Sequence, residues 1–94
     1  MKVITTVSGR IDEKNWVQFE KEYALLLKSK FPQGLIETNL LKKQDIYIIQ
    51  SIWKNLEFLE QMRIKEKPAA IILFEKFNTK PVANVYQIVE SSKK

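Results

Sequence analysis

Residues 46–53 read Ile46-Tyr47-Ile48-Ile49-Gln50-Ser51-Ile52-Trp53, a run dominated by β-branched and aromatic side chains and therefore expected to be a strand. Side chains alternate across a strand, and here both alternating sets are apolar: Ile46, Ile48 and Ile52 in one, Tyr47, Ile49 and Trp53 in the other. A strand with one wet face alternates apolar with polar, whereas a strand covered on both faces does not. Helices of the same chain can cover only one face. The other calls for a partner sheet, and a second copy of the chain is the simplest source.

Working outward from this strand, Lys43-Gln44-Asp45 makes a short polar turn, and residues 35–42 form the preceding strand, so the two are expected to pair as an antiparallel hairpin. Residues 2–11 read as a first strand. Asp12 is placed to cap a helix whose Trp16, Phe19, Tyr23, Leu26 and Leu27 recur at three- and four-residue spacing, a core-facing stripe that Pro32 and Gly34 end. On the far side, Asn55 can cap a helix carrying Leu56, Leu59 and Met62. Pro68 starts a further helical piece with Ala70, Phe74 and Phe77, and Pro81 opens a last strand over 82–90. The order β-α-β-β-α-β, with its second helical region in two pieces, predicts an α+β ferredoxin-like sandwich over a single domain, residues 1–94.

Composition narrows the chemistry. The 94 residues include no Cys and no His, which removes disulfides, thiolate zinc sites, a cysteine nucleophile, an imidazole base and a histidine ligand to haem iron. The formal charge of +5 is spread so that residues 1–31, 32–55, 56–80 and 81–94 each carry a surplus of at most two. That pattern is a mixed surface and predicts no nucleic-acid partner. Strand three also lacks the basic-Gly-aromatic pattern of an RNA-recognition motif, and no GXXG loop of the KH type occurs. The longest apolar run, 69–74, is far below the roughly 18 to 20 residues of a membrane span. With no signal-peptide core at the N-terminus, a soluble cytoplasmic protein is expected, with no membrane partner.

The segment Ser51-Ile52-Trp53-Lys54-Asn55-Leu56-Glu57-Phe58-Leu59-Glu60-Gln61-Met62 resembles the acid-x-aromatic-x(3)-acid-x-x-Leu-x-x-His pattern of the antibiotic biosynthesis monooxygenase-like family. Trp53, Glu57 and Leu59 or an adjacent residue are in keeping with it. Ser51 stands where the family often has Glu, and Met62 where it often has His. Chain length, Gly34 before strand two and the terminal strand with Tyr86 add to the likeness. The resemblance implies a homodimer whose two sheets close into one α/β barrel, each subunit keeping a pocket between sheet and helices. The family includes cofactor-independent oxygenases of polycyclic phenols, haem-degrading enzymes and proteins without known activity. Positions matching those the haem-degrading members use hold Thr5 or Val7, Gln61 and the neighbourhood of Ile71, so no haem and no other cofactor or metal is expected.

The function expected is that of a cofactor-independent monooxygenase acting on a small hydrophobic phenol or enol. The alternative is a non-catalytic small-molecule-binding or regulatory dimer on the same fold. Polar residues interrupting the strands, namely Thr5 and Thr6, Thr38 and Asn39, Gln50 and Ser51, and Asn84 and Gln87, are the places to look for a site. The candidates are Trp53 to stack on a planar ligand, Ser51 and Asn39 to hydrogen-bond it, Met62 beside it, Tyr86 to donate a proton and Arg63 to steady an enolate. Trp16, Phe19 and Tyr23 are assigned to the core.

Overall fold

The computed structural model describes residues 1–29 and 31–93. Four strands, β1 (Val3–Arg10), β2 (Leu35–Lys43), β3 (Ile46–Trp53) and β4 (Val82–Gln87), form one antiparallel sheet in the order β2-β3-β1-β4. Helices α1 (Trp16–Ser29), α2 (Leu56–Lys65) and α3 (Ala69–Lys76) connect them, with a short 3-10 turn over Glu13–Asn15 before α1. This is the expected ferredoxin-like α+β arrangement, with the second helical region in two pieces. The break follows from Pro68, which disfavours helical backbone at the residue before it and has no N–H for an incoming turn.

Asn55 caps α2 as its sequence position suggested: its side-chain oxygen accepts the Phe58 N–H at 3.1 Å. Asp12 behaves differently. Its side chain makes no cap bond, and its backbone carbonyl takes the Asn15 N–H at 2.8 Å, because the chain enters a 3-10 turn before α1 begins. The hairpin turn is tighter than expected. Lys43 pairs with Ile46, leaving Gln44 and Asp45 as the loop, and Gln44 takes φ 55° to close it. The last strand ends at Gln87 rather than Glu90, with Ile88 N–H still reaching Lys2 O at 3.0 Å.

The helices lie on the face carrying Tyr47, Ile49 and Trp53, which are 1%, 4% and 3% exposed. Phe19 from α1 sits between Tyr47 and Phe74, with ring centroids 4.8 and 5.0 Å away, and Val7, Ile11, Tyr23, Ile49 and Leu73 complete this cluster. A second cluster joins Val3, Trp53 and Leu59, with Leu35, Phe58 and Met62 packed around it. Among the described residues no helix covers the opposite face. There Ile48 shares a row with Leu41, Ser8 and Val82, and Ile52 with Glu37, Ile4 and Tyr86, while Ile46 lies between Lys43 and Arg10.

Gly34 turns the chain into β2 at φ +86°, and a Cβ there would run into the Phe58 ring of α2. Gly34→Ala combines left-handed backbone strain with that clash, so it is expected to lower stability by about 2 kcal/mol or more. Urea denaturation of the two proteins measures it, and the loss should shrink in a Phe58→Ala background that removes the ring.

Candidate functional site

The two core clusters do not meet. Between them the helix-facing side of the sheet carries one polar row, in which Thr38 of β2 lies beside Ser51 of β3 and Ser51 beside Thr5 of β1. Ser51 Oγ donates to Thr38 Oγ1 at 3.3 Å, and the Tyr23 hydroxyl, reaching down from α1, shares a hydrogen bond of 3.0 Å with the same Thr38 oxygen. At the other end of the row Trp53 Nε1 donates to Thr5 Oγ1 at 3.3 Å. Hydroxyls placed between apolar clusters must find partners or be desolvated at a cost. These find one another.

Two small lobes open over this row. One, of about 70 Å³, runs between β1 and the α2–α3 junction and is lined by Thr5, Ser51, Leu59, Met62 and Arg63 among others. Its neighbour, of about 80 Å³, lies under α1, where Tyr23, Leu27, Thr38, Ile49 and Ser51 line it, with Glu66 at its α2 end. Ser51, Met62, Ala69 and Ala70 are common to both. The space exists because α3 begins with two alanines above the point where the sheet offers its smallest side chains. Among the described residues no three His, Cys, Asp or Glu side chains gather to hold a metal.

The six residues singled out from sequence are divided by the sheet. Ser51, Met62 and Arg63 line the lobes. Trp53 is on the same face but is packed into the second core cluster, touching the site through its bond to Thr5. Asn39 is on the opposite face, where its amide donates to Glu37 at 2.9 Å and Gln50 at 3.2 Å. Tyr86 pairs across from Ile4, also on that face, and is 53% exposed. The oxygens that accompany Ser51 are those of Thr38 and Tyr23. Thr38 depends on the hairpin register, which a two-residue loop sets and a three-residue loop shifts by one. Tyr23 carried a signal, since a tyrosine in an otherwise apolar stripe needs a partner for its hydroxyl.

No family model matches this sequence, and no curated protein matches it. Solved structures do. A candidate antibiotic biosynthesis monooxygenase from Deinococcus radiodurans superposes with a TM-score of 0.75 at 12% identity, covering 98% of this chain and 97% of that one. The chain has the fold of the antibiotic biosynthesis monooxygenase-like proteins. A variant of SnoaB, a cofactor-independent oxygenase from Streptomyces nogalater, superposes on this fold with a TM-score of 0.72 at 10% identity, over 99% of this chain and 98% of its own. A haem-degrading protein from Mycobacterium tuberculosis does so with a TM-score of 0.70 at 14% identity, over 99% of this chain and 100% of its own.

On this monooxygenase-like fold Tyr47 is a core phenol outside the lobes, hydrogen-bonded to the Glu20 carboxylate. Burial first, and the neighbouring carboxylate second, push its pKa above the ordinary value of 10.0. A phenol that ionises less readily folded than unfolded supports the native state below the unfolded pKa and withdraws that support as pH climbs beyond it. The native protein is therefore expected to lose stability above pH 10, and Tyr47→Phe to flatten that loss. Denaturation midpoints of both proteins at pH 8 and pH 11 measure the difference in slope.

Proposed function

We propose that this protein is a cofactor-independent monooxygenase whose substrate is a single-ring phenol or enol seated over Ser51. The observation that carries the reading is the linked set of hydroxyls, Tyr23, Thr38 and Ser51, at the junction of two small lobes with largely apolar walls. Together the lobes are of the size at which an apolar cavity, about 150 Å³, takes up a benzene ring. The hydroxyls supply donors and acceptors for the substrate oxygen, and Arg63 on the rim favours its ionised form. Leu59, Ile49, Ala69 and Ala70 keep water from the electron-rich ring while it meets oxygen. For phenol itself the balance is phenol plus O2 to 1,4-benzoquinone plus water, with the substrate supplying all four electrons.

Haem falls outside this ligand class. A porphyrin is much larger than either lobe, the chain has neither His nor Cys, and the one tyrosine lining the lobes, Tyr23, has its hydroxyl bonded to Thr38. A second reading, a binding or regulatory dimer without catalysis, draws support from the lining: among the described residues Glu66 is the only carboxylate there. Both readings include a homodimer. Its support is the helix-free sheet face, where largely apolar rows, one ending in Glu37 and the other including Ser8, flank a row of neutral polar side chains, Asn39, Gln50, Thr6 and Asn84, that can pair with their own copies. A cytoplasmic location accords with the cysteine-free composition.

Oxygen uptake with phenol should exceed the buffer rate, and Ser51→Ala and Thr38→Val should each weaken phenol binding by about tenfold, the worth of one buried hydrogen bond. Binding without uptake leaves the regulatory reading. Absence of binding overturns both. Sedimentation at micromolar concentration should give a dimer that Ile48→Lys converts to monomer, while a stable parent monomer overturns the sheet-on-sheet assembly.

A further inference from the structure

The lobe between β1 and the α2–α3 junction has largely apolar walls, and among the described residues Arg63 is the one charged side chain lining it. Arg63 follows Leu59 by one turn of α2, so the two stand on one side of the helix, Leu59 buried against Val3 and Trp53 and Arg63 exposed. The lobe therefore runs from the hydroxyl row out to a guanidinium in contact with water.

The chain has two arginines. Arg10 is bound to Asp45 at 2.5 Å, whereas among the described residues the Arg63 side chain has no ion-pair partner. Arg63 and Lys65 both lie in the last turn of α2, where a cation suits the helix dipole. Lys65 lines a different space, a surface cleft of about 180 Å³ that it shares with Met62, Phe58 and Pro32. The dipole is served by Lys65 as well as by Arg63, and it does not call for a cation on the wall of the lobe.

At neutral pH a phenol, with a pKa of about 10, is uncharged, while a carboxylic acid, at about 4, is an anion. A guanidinium holds a carboxylate through two parallel N–H bonds, so an acid on the ring gives Arg63 a bonded partner where phenol itself meets only its charge. Because Arg63 is exposed, such a pair keeps part of its water and avoids the desolvation cost of a buried one. Oxidation to a 1,4-quinone fixes where the acid can stand. A para acid would occupy the carbon that takes up oxygen, and an ortho acid would draw the ring hydroxyl into an internal hydrogen bond. A meta acid leaves both free.

We propose that the substrate is a phenolic acid of the 3-hydroxybenzoate type, its hydroxyl on the Ser51 row and its carboxylate on Arg63. The inference rests on reading the lobes as the ligand site, and it adds the substrate class and the residue that selects it. The acid is a spectator in the oxidation: 3-hydroxybenzoate plus O2 gives carboxy-1,4-benzoquinone plus water, with the ring supplying the four electrons.

Titration calorimetry at pH 7 with 3-hydroxybenzoate and its neutral isostere 3-hydroxybenzamide tests this. The parent is expected to bind the acid about tenfold more tightly than the amide. In Arg63→Gln the ratio should fall to about one, in Arg63→Lys it should be intermediate, and in Lys65→Gln it should stay at the parent value. Thermal unfolding checks that each variant is folded. Equal binding of acid and amide by the parent, or a preference that survives Arg63→Gln, overturns the proposal and leaves the lobes as a site for neutral phenols. A ratio lowered as much by Lys65→Gln as by Arg63→Gln also overturns it, since the chain's overall positive charge would then be the cause. If neither compound binds and phenol does not bind either, the ligand-site reading fails and the anchor fails with it.

Discussion

One row of hydroxyls organises the interior. Thr38, Ser51 and Thr5 occupy neighbouring strands at the same level on the helix-facing side of the sheet, so the apolar side chains above and below them cannot merge into a single core. A buried hydroxyl is tolerable only when bonded, and bonds among these and to Tyr23 and Trp53 offset the cost of taking them out of water. The consequence is geometric. Small polar side chains on the sheet face two alanines at the start of α3, and the volume left between them is the candidate site.

The same level of the sheet is polar on its other side. Asn39, Gln50, Thr6 and Asn84 form a continuous row across all four strands, flanked by the largely apolar rows Leu41, Ile48, Ser8 and Val82 on one side and Glu37, Ile52, Ile4 and Tyr86 on the other. Adjacent residues such as Thr38 and Asn39, or Gln50 and Ser51, therefore serve different surfaces although they are neighbours in the chain. That division keeps Asn39 and Tyr86 away from the hydroxyl row. A one-residue slip of β2 against β3 would put Asn39 or Glu37 where Thr38 now stands, so the tightness of the Gln44-Asp45 turn matters as much to the site as any residue lining it.

Much of the fold was legible from local pattern. The β-branched runs, the aromatic spacing of Trp16, Phe19 and Tyr23, the Asn55 cap and the Pro68 break each carry a short-range physical cause, and each reappears in the structure. Less of the site was legible. Ser51 was found because a polar residue interrupts an apolar strand, Met62 through its place in the family's pattern, and Arg63 through its charge. Thr38 was only one of several interrupting residues until register paired it with Ser51, and Tyr23 was hidden by a periodicity that suits a core residue equally well. Trp53 shows the opposite effect: its ring is large enough to suggest a ligand platform, yet packing against Val3 and Leu59 consumes it.

By itself, the sequence determined the element order, the apolar character of both faces of β3 and the exclusion of histidine and cysteine chemistry, because these depend on residue type and on spacing within single segments. Only the tertiary structure decided which polar residues meet, that the core is split in two, and that Met62 borders three cavities at once. Those outcomes depend on strand register and on how helices settle over the sheet, and both are set by contacts between residues far apart in the chain.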